Sequence, residues 1–586
     1  MTQPKASVRT GTRQGGDAFL EVLRTYGVEH IFSSPGSEWP SVWDGLARLR
    51  REGVAHPDYL SSRHEELTLG MATGYGRVSG RLSAVLLHTG VGTLHGAMAL
   101  RAALHEHVPM VVAAGESNAF GEDAGLDPGS QWLRSLVDLG GPERLVLPYV
   151  KWSATVNNPA SLPGMLEQAC RVAVSHPQGP TFLSVPMEVL HTEVRDDLLA
   201  RAALEPPRSH PDGALLDRAA RALVEARSPL IITELAGRDP GNVARLVALA
   251  EGLAAPVVEA QNGNFVNFPR DHPLHQGYAA RPLMDQADCV VLLACRGPWH
   301  PPSKGPAGGA TVIMVDEDPG KAHLPLWPYQ VDLCVSGAMD VALEGLFHRV
   351  QVLLVERGDG AARAERRERL GAAHRRERDG WQLEARGASA ARPIDPRWAC
   401  QVIGEVLPPD VVIMDETTTH RPFVQRYVVR SLPGTYHAKV TGGLGTGMCM
   451  ALGIKVAQPE RTVACFVGDG AFNYNPVTSV LGYMQEYETP LLTVIFNNEG
   501  YAAMKSAHLR YYPEGFGTQT GVFYGHPIAP TPDYSALAPV FGGFGVRVTE
   551  PEQLRGAMEQ ALGEVRRGRF ALVDLRLEPA DIRGGG

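Results

Sequence analysis

The chain predicts an α/β fold of three doubly wound, parallel-sheet domains, on three observations. Helix-patterned stretches alternate with short apolar runs along nearly the whole chain, as helices crossing over a parallel sheet require. At 586 residues the chain exceeds what one hydrophobic core organises. Polar and charge-dense stretches break the alternation twice, dividing it into blocks.

Residues 1–15 are polar, with no apolar core or cleavage-like site, and predict a flexible tail, not a signal peptide. The first block, 16–190, runs through DAFLEVLRTYGV, HIFSSPGS, ELTLGMATGYGRVSG, SAVLLHTG, MVVAAGE and PTFLSVPMEVL. A polar stretch with paired prolines predicts a linker over 191–209. The second block, 210–355, offers SPLIITELAG, APVVEAQNG, DCVVLLACRG and ATVIMVDEDP as strands that end in loops. Residues 356–395, rich in Arg, Glu and Ala, predict an exposed linker helix of alternating charge; the interleaved Glu argues against a nucleic-acid patch. The third block, 396–586, begins with VVIMDETTT, passes TGGLGTGMCMALG and carries VACFVGDG and LLTVIFNN as strands joined by a helix. It is similar in size and style to the first.

Composition narrows the partners. Sixty-four acids against 55 bases leave a formal charge of −9, and no apolar run reaches the length of a membrane span, so neither nucleic acid nor membrane is expected. Seven scattered cysteines without a CxxC pair predict buried thiols in a reducing cytoplasm.

Residues 468–501, GDGAFNYNPVTSVLGYMQEYETPLLTVIFNNEGY, carry the strongest chemistry. Asp469 is expected at the carboxyl end of a buried strand, where ligand sites of parallel sheets gather, and its flanking glycines let backbone approach a ligand. Twenty-six residues separate Gly470 from Asn497, room for a crossover helix before the next strand presents Asn498 at the same edge. One carboxylate, one amide and a backbone carbonyl suit Mg²⁺ or Ca²⁺, which keep phosphate oxygens and water in their remaining positions. A bare GDG would be an ordinary turn. Paired strand ends at crossover spacing point instead to a metal-bound diphosphate.

The run from GDG to NN resembles the fingerprint of thiamine-diphosphate enzymes, the family of acetolactate synthase, pyruvate decarboxylase and benzoylformate decarboxylase. The resemblance implies a pyrimidine-binding first domain, a central second and a diphosphate-binding third. It implies Mg²⁺ held by Asp469, Asn498 and the Gly500 carbonyl, with Gly470 and Ala471 at the cofactor. RHEELTLGMATGYGRVSG matches the segment bearing the cofactor-activating glutamate and puts that role on Glu65, not its neighbour Glu66. Such a carboxyl, shielded from water, shares a proton with the aminopyrimidine ring. TGGLGTGMCMALG places the Gly442 carbonyl on the cofactor's amino group and Leu444 beneath the bent cofactor, and DETTTH brings Thr418 and Thr419 to phosphate oxygens. With Glu65 and the diphosphate motif in different blocks, the family architecture implies a homodimer at minimum and a homotetramer beyond it.

Shorter matches, PGSEWP, LLHTGVGTLHGAMAL, GPWHPP and GDGAFNYN, resemble benzoylformate decarboxylase. They imply that Ser37 recognises a substrate carboxylate, that His88 and His300 handle protons, and that Ala503 and Ala507 shape the substrate pocket. His64, His95, His105 and His107 are read as structural or rim residues. The segment AHLRYYPEGFGTQTGVFYGHPIAPTPDY is read as a loop covering the site or a subunit contact. The implied activity is decarboxylation of a 2-oxo acid, with an acyloin- or acetolactate-type carboligase acting on an aldehyde or second oxo acid, or the reverse lyase, as alternatives. An FAD-containing oxidase or a catalytically inactive paralogue is the rival within the fold; FAD is possible but nothing indicates it. A generic nucleotide-binding protein using the glycine-rich loops is the non-thiamine rival, and no GxxxxGK[ST] supports it.

Overall fold

The computed structural model describes residues 11–34, 36–118, 126–137, 140–199, 202–206 and 208–578. After β1 (Thr12–Gln14) come β2 (His30–Ser33), β3 (Asp58–Ser61), β4 (Ser83–Leu87), β5 (Met110–Glu116), β6 (Trp152–Thr155) and β7 (Pro180–Pro186), an all-parallel sheet in the order β3-β2-β4-β5-β7-β6. β8 (Glu193–Arg195) then pairs antiparallel with β1. Of the segment expected to be a flexible tail, Thr12–Gln14 are tied into a ladder with the segment read as a linker, and residues 1–10 lie outside the described residues.

The middle sheet holds β9 (Pro229–Thr233), β10 (Val257–Glu259), β11 (Cys289–Leu293), β12 (Thr311–Asp316) and β13 (Leu333–Ser336), ordered β10-β9-β11-β12-β13. The third holds β14 (Val412–Glu416), β15 (Tyr436–Ala438), β16 (Val463–Gly468), β17 (Leu492–Asn497), β18 (Phe544–Val548) and β19 (Ala571–Arg576), ordered β15-β14-β16-β17-β19-β18. First and third sheets thus permute their strands identically. Central strands such as Ser83–Leu87, Cys289–Leu293 and Leu492–Asn497 are buried throughout, which is why they read as continuous apolar runs without alternation. In each sheet the winding reverses between the first and third strands in chain order. There, between β2 and β4 and between β14 and β16, the loops leaving the carboxyl ends part and open a crevice for a ligand.

The chain divides into two compact units. One comprises the first sheet with 440–458 and 476–486, the other the middle and third sheets. In the first unit, helix Glu65–Ser79 starts where the His64 side chain accepts the Glu66 N–H and stops at Gly80, whose left-handed φ of 67° ends it. It packs against helix Gly447–Ala457 so closely that a Cβ on Gly74 would run into the Met450 carbonyl and one on Gly453 into the Met71 carbonyl. Glycine at these two positions lets the backbones meet, and this contact fixes where Glu65 points.

In the second unit, Gly360–Gly387 is one 28-residue helix, largely exposed. Arg366 on it donates to Leu253 O at 2.6 Å and Ala254 O at 3.0 Å, occupying the carbonyl end of helix Gly241–Leu253. The segment read as a loop, 507–534, is partly helical: it begins within helix Ala502–Tyr511, which runs until just before Pro513, and contains helix Phe516–Thr520. All seven cysteines are free thiols, six of them buried and Cys334 partly so. Among the described residues no helix is long and apolar enough to cross a membrane.

Gly→Ala inside an ordinary helix gains about 1 kcal/mol. Gly453→Ala should instead lose roughly 1–3 kcal/mol by overpacking. The urea midpoint measures this, and a midpoint equal to or above wild type would contradict the packing.

Candidate functional site

The loops of the third sheet gather oxygen at the β14–β16 crevice. Asp469 follows β16 immediately, is only 2% exposed and opens helix Asp469–Tyr474. The Gly470 N–H donates to its Oδ1 and the Gly500 N–H to its Oδ2, both at 2.9 Å. The two asparagines after β17 have separate roles. Asn497 donates to Asp574 Oδ1 at 2.8 Å and accepts the Glu499 N–H, fixing the turn. Asn498 faces the site, one terminal atom of its amide 2.9 Å from Gly500 O and 3.1 Å from Asp469 Oδ1.

That amide can present either end. Its nitrogen would donate to both neighbours. Its oxygen would lie 2.9 and 3.1 Å from two others, about the edge length of an octahedron whose metal–oxygen bonds are about 2.1 Å, the geometry Mg²⁺ prefers. Carboxylate, amide and carbonyl are the hard donors such a cation selects, so the residues present fit the metal. Burial pushes the Asp469 carboxyl up to about 6, against the pull of the Gly470 and Gly500 N–H groups; a cation would offset that cost. A Cβ on Gly470 would lie 2.7 Å from the Tyr501 ring, so a larger residue here would require that ring to move.

Around this centre Ala471 is buried, Thr418 is exposed with a left-handed φ of 48°, and Thr419 is half-buried. Thr417 is turned inward, where its N–H and hydroxyl both donate to Asp415 Oδ1, at 2.8 and 2.7 Å. Ala503 and Ala507, one helical turn apart on Ala502–Tyr511, are both partly exposed. His300 is exposed on the loop following β11.

In the first unit the β2–β4 crevice gathers proton-carrying groups. Ser37 accepts a hydrogen bond from the Gln131 amide. Glu38, fully buried, accepts from His88 Nδ1 at 2.9 Å. Glu65, its side chain 14% exposed, lies 3.3 Å from Nδ1 of the 64% exposed His95. A Cβ on Gly92 would sit 3.2 Å from Glu65 Oε1 and 3.5 Å from His88 Cβ, so Glu65 and His88 flank the same opening. Glu66 points elsewhere and accepts the Ala99 N–H at 3.2 Å. Gly442 O accepts from Arg101 at 2.9 Å, which occupies one of its two lone pairs, and Leu444 is half-buried.

Three of these groups are not evident in the sequence: Glu38, His95 and Arg101. Glu38 has one local signal, its place directly after Ser37. His95, expected to be a structural or rim residue, is mostly exposed and contacts Glu65.

Family models match in all three blocks: the thiamine pyrophosphate enzyme N-terminal TPP binding domain over residues 13–131, the central domain over 216–346 and the C-terminal TPP binding domain over 416–575. The chain is 28% identical to benzoylformate decarboxylase of Pseudomonas aeruginosa, covering 96% of this chain and 99% of that protein. It is 25% identical to acetolactate synthase isozyme 3 large subunit of Escherichia coli, over 98% and 97% of the two chains. Among solved structures, the thiamine diphosphate-dependent 4-hydroxybenzoylformate decarboxylase of Rhodococcus jostii RHA1 shares the fold with a TM-score of 0.79 and 24% identity, covering 97% of this chain and 100% of that one.

Asp469 gives the metal-free protein a pH signature. Its folded pKa of about 6 lies above the ordinary carboxylate value of 3.8, so between these values the folded state keeps a proton that the unfolded chain releases. Stability attributable to Asp469 therefore falls as pH rises from 4 to 6. Relative to wild type, Asp469→Asn should gain up to about 3 kcal/mol between pH 4 and pH 7. Paired denaturant melts in a chelator check this, and a pH-independent difference would contradict it.

Proposed function

The chain belongs to the thiamine pyrophosphate enzymes in all three of its domains, and on that footing we propose a thiamine-diphosphate- and Mg²⁺-dependent enzyme that decarboxylates a 2-oxo acid. Asp469, Asn498 and Gly500 carry this reading, since the Asn498 amide lies 2.9 Å from Gly500 O and 3.1 Å from Asp469 Oδ1 and, with its oxygen turned inward, would add a third hard donor beside the turns suited to a diphosphate.

When bound, thiamine diphosphate supplies a carbanion that adds to the substrate carbonyl and an electron sink for the bond broken as carbon dioxide leaves. The protein's part is to hold, orient and move protons. Asp469, Asn498 and the Gly500 carbonyl hold Mg²⁺, and Gly470, Ala471, Thr418 and Thr419 meet the phosphates. The Gly442 carbonyl and Leu444 position the rings. Glu65 holds the proton shared with the pyrimidine, with His95 against its carboxyl.

Ser37 Oγ accepts from Gln131, and its O–H is the donor this reading assigns to a substrate carboxylate. The Glu38 carboxylate keeps the proton of His88 on Nδ1, so Nε2 is the atom that takes or returns one. His300, on its exposed loop, is the second proton carrier in this reading. The small side chains of Ala503 and Ala507 favour a bulky substrate and support the second reading, carboligation onto another carbonyl or its reverse. A homodimer is the minimum assembly of this proposal and a homotetramer the fuller one.

A panel of 2-oxo acids, with and without aldehydes, scored for carbon dioxide, aldehyde and acyloin, decides the reaction. Carbon dioxide and aldehyde from a 2-oxo acid alone support the decarboxylase; acyloin formed only with an added aldehyde moves the assignment to the carboligase. Glu65→Gln should bind cofactor yet turn over at least about tenfold more slowly, and near wild-type turnover would remove Glu65 from the mechanism. Asp469→Ala deletes the one charged metal ligand and should lose Mg²⁺-dependent cofactor retention through gel filtration.

A further inference from the structure

Lys439 is a buried lysine, 6% exposed, immediately after β15. Its Nζ donates to Glu416 Oε1 at 3.0 Å. Glu416 is the last residue of β14 and equally buried, and its Oε2 accepts from Asn475 Nδ2 at 2.9 Å. The same Asn475 nitrogen donates to Ala471 O at 2.8 Å, from the residue that ends helix Asp469–Tyr474. One network of side chains therefore joins the ends of β14 and β15 to the helix that Asp469 opens.

Its placement has two consequences. Thr418 and Thr419 leave from Glu416 on one side, and Asp469, Gly470 and Ala471 lie in the helix on the other, so the network sets their spacing. It also sets the charge. β14 and β16 are neighbours, with Glu416 opposite Val467, so a second buried carboxylate ends the strand next to the one carrying Asp469. A diphosphate brought there would meet both negative charges, and Lys439 cancels one. A hydrophobic pair would pack as well or better, because desolvating two ions costs about what their attraction returns. Stability alone therefore does not account for a charged pair here.

We propose that Lys439, with Glu416 and Asn475, is a positioning network for the diphosphate–metal half of the site: it spaces the two phosphate-facing turns and removes a repulsion that would exclude the anion. This rests on the thiamine-diphosphate reading above and deepens it. The ligand class is a diphosphate ester with its divalent cation, and inorganic diphosphate is its minimal probe.

Titration calorimetry of the full-length, cofactor-free protein with Mg²⁺–diphosphate and with Mg²⁺–thiamine diphosphate tests it, beside thermal melts of the same samples. Lys439→Met/Glu416→Leu removes both charges and should keep a cooperative melt close to wild type while weakening both ligands about tenfold or more. Lys439→Met alone should bind more weakly still, because it leaves Glu416 charged. Glu416→Gln, which keeps the lysine, should bind more tightly than Lys439→Met. In steady state the KM for thiamine diphosphate should rise by a larger factor than turnover at saturating cofactor falls. If Lys439→Met does not fold, the double variant decides. Wild-type affinity in the double variant, or equal affinity in the two single variants, overturns the proposal and leaves the network a packing feature. Failure of the wild-type protein to bind either ligand would instead overturn the thiamine-diphosphate reading itself, and this proposal with it.

Discussion

Asp469 is a carboxylate at the end of a fully buried strand, and the second unit is organised around making that tolerable. Two backbone N–H groups reach it, one from the turn it begins and one from the turn after β17, and they arrive only because β16 and β17 are adjacent and in parallel register. Those bonds do not offset burial fully, since the carboxyl still sits well above its ordinary range. What remains is an affinity for positive charge in a ring of oxygen donors. The proposed cation would offset the cost of burial, which a protein can maintain for function at some expense in stability.

The first and third sheets share one strand order but fill their crevices with opposite chemistry. At β14–β16 the loops bring hard oxygen donors and small residues. At β2–β4 they bring Ser37, the Glu38–His88 pair and, opposite Gly92, the Glu65–His95 pair. One set suits a metal and phosphates; the other suits proton transfer to and from a reacting carbon. Helix Glu65–Ser79, pressed onto Gly447–Ala457 through glycine, leaves Glu65 little freedom to drift, which the proton-sharing role proposed for it would require.

Much of this is legible from residues alone. Parallel strands buried on both faces are continuous apolar runs, so the blocks announce themselves. The GDG turn and the NN turn are separated by a helix-sized interval, so their convergence follows from chain geometry. What escapes are contacts without local spacing. Glu38 and His88 are 50 positions apart, and Arg101 reaches Gly442 O across 341. Thr12–Gln14 read as a loose tail because a three-residue edge ladder has no pattern to find. Lys439 looks like any lysine after a strand until its burial against Glu416 is seen.

The sequence by itself determined the domains' class and the residues that end the critical strands, because local patterning and the short reach of a crossover connection specify those, while the cofactor was implied by its resemblance to the thiamine-diphosphate fingerprint. Tertiary structure alone decided the order of strands in each sheet, and hence which loop ends face one another. The partners of His88, Glu65, Gly442 and Glu416 follow from that order, since hydrogen bonds between distant segments depend on where folding places them and leave no periodic trace in the chain.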